Sequence, residues 1–242
     1  MTGRFEDGWR AQRVSSGGRV VAVRANHPHA EARLLDPIDY VAPERPGLPP
    51  VPGSELLVTA RLEDTSQSGF WITHTHGWLE ADRSRQIRVY WNICAHGAPA
   101  LVAATTAGFG ESPYALKMLA TASAYARTDA AVIYIPADRL AELAGPIREV
   151  HAAIAERFLA PRTPALTRQL LPGVGVADDP GDGRSFGEDR CRLVAEGIVA
   201  AFARGMEATP AVIETIGRRF AARGLALARP HLNASSEADH AL

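Results

Sequence analysis

The middle of the chain alternates between apolar and polar positions, a two-residue period that is typical of β-strands. Residues 87–93 show it most clearly, with one apolar face and one face that carries Arg88, Tyr90 and Asn92. Residues 130–135 are apolar on both faces, which predicts a central strand of a sheet. Shorter β-branched or aromatic runs predict three further strands, at residues 56–60, 70–76 and 114–120.

Helical patterns dominate the second half of the chain, after an alanine-rich predicted helix at residues 96–107. Residues 138–158 have helical composition that is interrupted near Gly145-Pro146, and a last helix is expected at about residues 210–222. Between them, residues 166–183 carry many turn-forming residues and predict a long irregular connection.

A further helix is predicted to begin after Ser185, because Glu188 follows three residues later in the pattern of a capping box. An apolar stripe recurs along this helix at a spacing of 3.6 residues, and we expect it to be buried. The stripe consists of Cys191, Val194, Ala195, Ile198 and Phe202.

Together these elements predict an α+β fold with a central, mostly antiparallel sheet, flanking helices, and helices concentrated in the C-terminal half. Residues 1–53 are interpreted as an N-terminal extension that ends in a linker, since residues 36–53 hold six prolines. Residues 54–233 are expected to form the main domain and residues 234–242 a disordered tail.

Composition narrows the class of protein. The formal net charge of −1 argues against a generally basic nucleic-acid binder. No apolar run approaches the roughly 20 residues that a membrane span needs, and the first ten residues lack the apolar segment of a signal peptide. The two cysteines cannot form a disulfide framework. We therefore expect a cytoplasmic protein that binds neither nucleic acid nor membrane.

Lys117 is the single lysine among 26 basic residues, and it lies in an apolar run. Apolar surroundings disfavour the charged form of an amine and lower its pKa. A neutral amine near pH 7 can act as a general base or form a Schiff base. The alternative is an edge-strand lysine whose ammonium group lies in water.

Four arginines near the predicted strands and turns are candidates for binding a phosphate, because the planar guanidinium matches phosphate in a bidentate manner. They are Arg88, Arg127, Arg168 and Arg190. Arg190 follows a predicted helix start, where backbone N–H groups also favour anions. A surface ion pair is the alternative for any one of them, and Arg192 with Glu196 fits that alternative well.

His74 and His76 lie two residues apart and therefore share one face of a predicted strand. A proton-donor role suits one of them better than metal binding, since no carboxylate or cysteine completes a recognised metal-ligand spacing. The alternative is a strand histidine that is satisfied by hydrogen bonds. No P-loop, GxSxG or HExxH motif is present.

Four segments in order resemble the Hop-effector-like family, over roughly residues 55–232. They are RVYWNICAHGAPALVAATT, YALKMLA, YARTDAAVIYIP and GVGVADDPGDGRSFGEDRCRLVAEG. The family includes type III effectors of plant pathogens and proteins encoded in gene clusters for class V lanthipeptides and thioamitides. Relatives often have a histidine before the RCRL segment, where this chain has Asp189.

The resemblance implies a phosphoserine/phosphothreonine lyase that makes dehydroamino acids in a ribosomal precursor peptide. It implies a partner kinase, and possibly a cyclase, and no cofactor or metal. Lys117 would be the base, Arg127 and Arg190 the phosphate-binding residues with Arg88 and Arg168 as weaker candidates, and His74 or His76 the acid.

Two other functions remain open from the residues alone. One is a non-catalytic peptide-binding or scaffold subunit of a kinase–lyase–cyclase complex, which would tolerate the loss of Lys117. The other is a phosphatase, which normally needs a metal or a cysteine nucleophile. Cys94 and Cys191 lie in apolar-patterned segments that are typical of structural cysteines.

Overall fold

The structure is a computed structural model, and it describes residues 5–24, 31–37, 39–59, 63–64, 67–75, 77–78, 81–82, 85–181, 183–236 and 239–242. It divides the chain into two compact units, Met1–Leu62 and Glu63–Leu242. The proline-rich segment of residues 36–53 lies inside the first unit, whereas the sequence places the main domain from residue 54 onward.

The first unit contains a five-stranded antiparallel sheet with the strand order β3-β2-β1-β5-β4. Its strands are β1 Phe5–Val14, β2 Val20–Arg24, β3 Glu31–Leu35, β4 Tyr40–Val41 and β5 Glu55–Thr59. Trp9 is fully buried at its centre, and the guanidinium carbon of Arg33 lies 4.7 Å from the Trp9 ring centroid. The strand predicted at residues 56–60 is present as β5 and belongs to this sheet.

The second unit contains a seven-stranded antiparallel sheet with the order β11-β12-β8-β10-β9-β7-β6. Its strands are β6 Glu63–Asp64, β7 Phe70–His74, β8 Gln86–Trp91, β9 Ala115–Leu119, β10 Ala131–Pro136, β11 Arg168–Leu171 and β12 Val174–Asp178. The prediction that residues 130–135 form a central strand is confirmed, because β10 is the fourth of the seven.

Four α-helices belong to the described part of this unit: α1 Ala98–Phe109, α2 Leu140–Phe158, α3 Phe186–Phe202 and α4 Thr209–Ala221. The α+β class is confirmed. Pro146 lies within α2 without ending it. The capped start of α3 is confirmed as well, since Ser185 Oγ accepts a hydrogen bond from Glu188 N at 3.1 Å.

The prediction of an irregular connection at residues 166–183 is wrong in part, because this stretch contains the hairpin β11–β12. All five residues of β12 are buried. The turn depends on Gly173, which has φ +78 and whose added Cβ would lie 2.5 Å from Ala160 O. The prediction overlooked the hairpin because its glycines and prolines resemble those of a loop.

The predicted buried stripe of α3 is also wrong for most of its residues. Phe186, Arg190, Leu193, Gly197 and Ala201 are buried instead. The physical reason is the close crossing of α4 at Gly197, where an added Cβ would lie 2.6 Å from Ile216 Cα. Of the predicted stripe residues, Val194 is partly buried against the contact of α3 with α4, whereas Cys191, Ile198 and Phe202 are exposed.

The two faces of the large sheet have different roles. One face packs against α1 and α2 and holds the main hydrophobic core, including Ile87, Val89, Trp91 and Ile133. The opposite face carries the alternate residues of the same strands. A smaller apolar cluster on that face includes Tyr90, Val132, Ala177 and Phe186.

The end of the chain, where the sequence suggests a disordered tail at residues 234–242, belongs to the second unit and contacts β12. His240 is buried, and its Nε2 lies 2.7 Å from Asp178 Oδ1. Asn233 N donates to Asp178 Oδ2 at 2.6 Å. No helix in the described part of the chain is long and apolar enough to cross a bilayer.

Candidate functional site

Strand register brings Lys117 onto the face of the sheet that lies opposite the main core. Lys117 on β9 pairs with Val132 on β10, which pairs with Tyr90 on β8. In an antiparallel sheet, directly opposed residues point to the same face. Two residues further along, Tyr134 pairs with Arg88. These side chains therefore share one face.

A cavity of about 550 Å³ lies over this face, and we call it the Lys117 cavity. Its polar lining includes Arg88, Tyr90, Lys117, Arg127, Tyr134 and Glu188. The start of α3 closes one side, where Phe186 packs near Tyr90 with ring centroids 6.3 Å apart. The cavity thus gathers four basic residues, of which Arg184 is the fourth, two carboxylates and the N-terminal end of a helix.

Lys117 is partly buried in this cavity, and its Nζ lies 3.9 Å from the ring centroid of Phe70. Burial lowers the pKa of the Lys117 ammonium, and the positive charges of Arg88 and Arg127 lower this pKa further. The environment therefore shifts the protonation equilibrium of Lys117 towards the neutral amine that a base requires.

Arg88 is held rigidly at the floor of the cavity. Its Nε donates to Asp179 Oδ2 at 2.6 Å and its Nη2 donates to Arg184 O at 2.8 Å. The side chain is buried, with a relative exposure of 8% for the residue. A guanidinium carries five N–H donors, so these two bonds leave donor capacity for a ligand.

Tyr90 and Tyr134 place two phenols beside Arg88. Burial raises the pKa of both hydroxyls, so both are protonated at neutral pH and can donate hydrogen bonds. The guanidinium carbon of Arg88 lies 5.4 Å from the Tyr134 ring centroid. Neither tyrosine was a predicted site residue, although the alternation along β8 and β10 places both of them on this face.

Arg127 lines the cavity from the segment before β10. Its guanidinium forms a bidentate pair with Asp129, at 2.5 and 2.6 Å. The pair is half exposed, so solvent screens it. Arg127 therefore contributes a charge that its carboxylate partner partly offsets.

The other two predicted phosphate-binding arginines do not line this cavity. Arg190 is 2% exposed, and its guanidinium binds Pro230 O, Leu232 O, Asn233 Oδ1 and the Asp189 carboxylate. This side chain anchors the C-terminal segment because its donors are occupied by protein groups. Arg168 forms an ion pair with Asp239.

Asp189, which precedes Arg190 at the start of α3, is 2% exposed. Besides Arg190, it lies 3.6 Å from the Arg192 guanidinium. The carboxylate therefore balances buried positive charge at the start of α3.

Of the two histidines that were predicted as proton donors, the structure describes only His74. His74 pairs with Ala115 on β9 and so shares the face of Lys117, but it is not among the residues that line the cavity. His76 lies outside the described residues. Within the described residues, no group of three histidine, cysteine, aspartate or glutamate side chains is placed to hold a metal ion.

The fold and the site define a class: an α+β domain in which one face of an antiparallel sheet holds a cationic cavity. The HopA1 effector protein family matches residues 63–232, which span nearly the whole second unit. The chain therefore belongs to the HopA1 effector protein family.

Solved structures agree with this assignment at the level of the fold. An effector protein from Pseudomonas syringae pv. tomato strain DC3000 matches with a TM-score of 0.53 and 18% identity, over 71% of this chain and 66% of that chain. An effector protein from Pseudomonas syringae pv. syringae strain 61 matches with a TM-score of 0.53 and 16% identity, over 70% and 66%. This chain thus spans just under two thirds of either effector. No curated protein is significantly similar in sequence.

Proposed function

We propose that this protein is a phosphoserine/phosphothreonine lyase that eliminates phosphate from a phosphorylated peptide. The observation that carries the proposal is the Lys117 cavity, in which a lysine with a lowered pKa lies with Arg88 and Arg127. A base and cationic groups for a phosphate are the two requirements of this elimination.

The reaction proceeds as a β-elimination. The neutral Nζ of Lys117 takes the proton from Cα of the phosphorylated residue. The electron pair of that C–H bond forms the Cα–Cβ double bond, and the Cβ–O bond breaks. The phosphate leaves with the electron pair of the broken bond. The products are a dehydroalanine or dehydrobutyrine residue and inorganic phosphate.

Negative charge grows on the leaving phosphate during this step, and the cavity offers groups that stabilise it. Arg88 is fixed by Asp179 and keeps donors for the phosphate oxygens. Arg127 adds a second guanidinium. The first turn of α3 lines the same cavity, and the N-terminal end of a helix carries a partial positive charge.

For proton donation to the leaving group, the cavity offers more than one candidate residue. Tyr90 and Tyr134 are protonated hydroxyls in the cavity, and either suits the role by position. His74 and His76 remain predictions from the sequence for the same role. The elimination balances without an oxidant, a reductant or an organic cofactor, because the phosphate itself is the leaving group.

The proposed context follows from the family resemblance. The substrate is a ribosomally made precursor peptide of the lanthipeptide type, and a partner kinase phosphorylates it first. A cyclase that consumes the dehydroamino acid would act afterwards. All three would meet in the cytoplasm.

The test is mass spectrometry of a phosphoserine peptide before and after incubation with the purified protein. We expect loss of phosphoric acid and a product that traps an added thiol. Lys117→Met should abolish this conversion, since it is a nearly volume-conserving change that removes the amine. Circular dichroism of the variant should match the parent protein.

The other outcomes identify other functions. Release of inorganic phosphate with regeneration of serine would identify a phosphatase. Peptide binding without any conversion, equal in the parent and in Lys117→Met, would identify the peptide-binding scaffold. Either result would overturn the lyase.

A further inference from the structure

Two further cavities adjoin the Lys117 cavity in a row. A second cavity of about 480 Å³ shares Arg88, Tyr134 and Gly183 with it. A third cavity of about 540 Å³ shares Arg85, Ala137 and Ser236 with the second. We call these the middle cavity and the outer cavity, and the three together the trough.

The trough follows β10, which sets its length. Val132 lines the Lys117 cavity, Tyr134 lines both the Lys117 and the middle cavity, and Pro136 lines the outer cavity. A strand rises about 3.3 Å per residue, so Val132 and Pro136 are separated by roughly 13 Å. An extended peptide of about four residues covers the same distance.

One wall of the trough is the C-terminal segment, and hydrogen bonds fix it in place. Ser236 lines the middle and outer cavities, and His240 lines the outer one. The Asp178 carboxylate accepts hydrogen bonds from Ser236 Oγ and from Asn233 N, and His240 Nε2 lies 2.7 Å from its other oxygen. The wall is therefore built before a ligand arrives.

The outer cavity carries both signs of charge. Arg85 and Arg139 face it, and so do Asp82 and Asp138. This mixture gives no net preference for an acidic or a basic side chain, whereas these four side chains can exchange hydrogen bonds with the backbone of a peptide. The affinity of the trough for a ligand should therefore depend on the length of the ligand and not on its charge.

We infer that the trough binds, in an extended conformation, the peptide chain on one side of the phosphorylated residue. This inference rests on the proposed function for the position of the phosphorylated residue at Lys117. The substrate is then a peptide that continues for about four residues on that side, rather than a free phosphoamino acid.

The test uses two series of fluorescein-labelled phosphoserine peptides, extended one alanine at a time on the N-terminal or on the C-terminal side. Binding is measured by fluorescence anisotropy to the Lys117→Met protein, in which turnover is blocked. In one series the dissociation constant should fall by about tenfold in total and become constant after about four residues. Failure of both series to show this dependence would overturn the inference.

Ala137→Trp supplies the structural control. Ala137 lies where the middle and outer cavities meet, so an indole there should block the outer cavity without reaching Lys117. When it is added to the Lys117→Met protein, Ala137→Trp should remove the increase in affinity that the third and fourth peptide residues give. It should leave the affinity for the shortest peptide unchanged. Ala152→Trp, on an exposed position of α2, should change nothing. Ala137→Met is the smaller replacement if the tryptophan variant does not fold.

The readouts separate the two proposals. Length-dependent binding that Ala137→Trp removes, together with a parent protein that eliminates no phosphate, would support the trough and overturn the lyase. Elimination at the same kcat/KM for peptides of every length would support the lyase and overturn the trough.

Discussion

Asp179 accepts a hydrogen bond from Arg88 Nε at 2.6 Å and so ties the end of β12 to the cavity face of β8. The same aspartate accepts a hydrogen bond from Gly181 N at 2.8 Å, and its backbone carbonyl accepts one from Asn233 Nδ2 at 2.6 Å. The preceding residue, Asp178, holds the C-terminal segment. Two consecutive aspartates, Asp179 through its carboxylate and backbone carbonyl and Asp178 through its carboxylate, therefore connect the cavity with the end of the chain.

The buried Arg88–Asp179 ion pair should stabilise the folded protein far more than the half-exposed Arg127–Asp129 pair does. Asp179→Asn leaves the buried guanidinium of Arg88 without its counter-charge, which should lower the free energy of unfolding by about 3 kcal/mol. Urea denaturation followed by circular dichroism measures this change.

Asp129→Asn is the matched control, because it removes the partner of the half-exposed Arg127. Its cost should be below about 1 kcal/mol. Equal effects of the two substitutions would show that burial does not govern the Arg88 pair.

The pH dependence of the elimination should report the Lys117 amine. The neutral amine is the base, so the rate rises with pH through the pKa of Lys117, which burial and the two arginines hold below its ordinary value of 10.5. The measurement is kcat/KM against pH with a phosphoserine peptide.

Arg127→Gln removes one of the charges that lower this pKa, so the rising limb of the profile should move to higher pH. Arg148→Gln, on an exposed position of α2, should leave the limb in place. A profile that Arg127→Gln does not move would contradict the assignment of Lys117 as the titrating base.

Stability should fall in acid because of the carboxylates that hold the C-terminal segment. Burial opposes ionisation of Asp178, but hydrogen bonds with His240, Ser236 and Asn233 N hold its pKa below the ordinary value. The hydrogen bond with His231, together with Arg168, lowers the pKa of Asp239 to about 2.

Because both carboxyl pKa values are lower in the folded protein, these groups stabilise it above the pKa of the unfolded chain, about 3.9. This stabilisation is lost as the pH falls from about 4 towards 2. Thermal unfolding from pH 6 to pH 2.5 should show a decrease in Tm that is smaller in Asp178→Asn, which begins from a lower Tm at pH 6. A Tm difference that is constant across this range would refute the linkage.

Gly197 should be a position at which even a methyl group is not tolerated. An added Cβ would lie 2.6 Å from Ile216 Cα, so Gly197→Ala must separate α3 from α4 at a cost of about 2 kcal/mol. Differential scanning calorimetry measures the loss.

Gly217→Ala is the matched change within α4, where an added Cβ would make only an ordinary contact, with Leu227 Cδ2 at 3.9 Å. There the better helix propensity of alanine should raise stability by up to about 1 kcal/mol. If Gly197→Ala were as stable as the parent, the close crossing of α3 and α4 would not hold.

Several helices and strands were predicted correctly because the patterns that indicate them are local in the sequence. The strands β8, β9 and β10 and the capped start of α3 follow from side-chain alternation and from Ser185 with Glu188, which depend on neighbours within a few residues. The sheet of the first unit was harder to predict from the sequence. Its strand β1 buries few of its ten side chains, so the alternation of apolar and polar residues is weak.

The sequence by itself singled out Lys117, Arg88 and Arg127, since a lone lysine in an apolar strand and arginines near strands stand out without any structure. The tertiary structure determined which of these candidate residues lie close together. Strand pairing across β8, β10 and β9 puts Arg88 and Lys117 on one face, and the chain returning after α4 takes up the donors of Arg190. Those contacts join residues 15 to 46 positions apart in the chain, and no pattern within one segment encodes such distances.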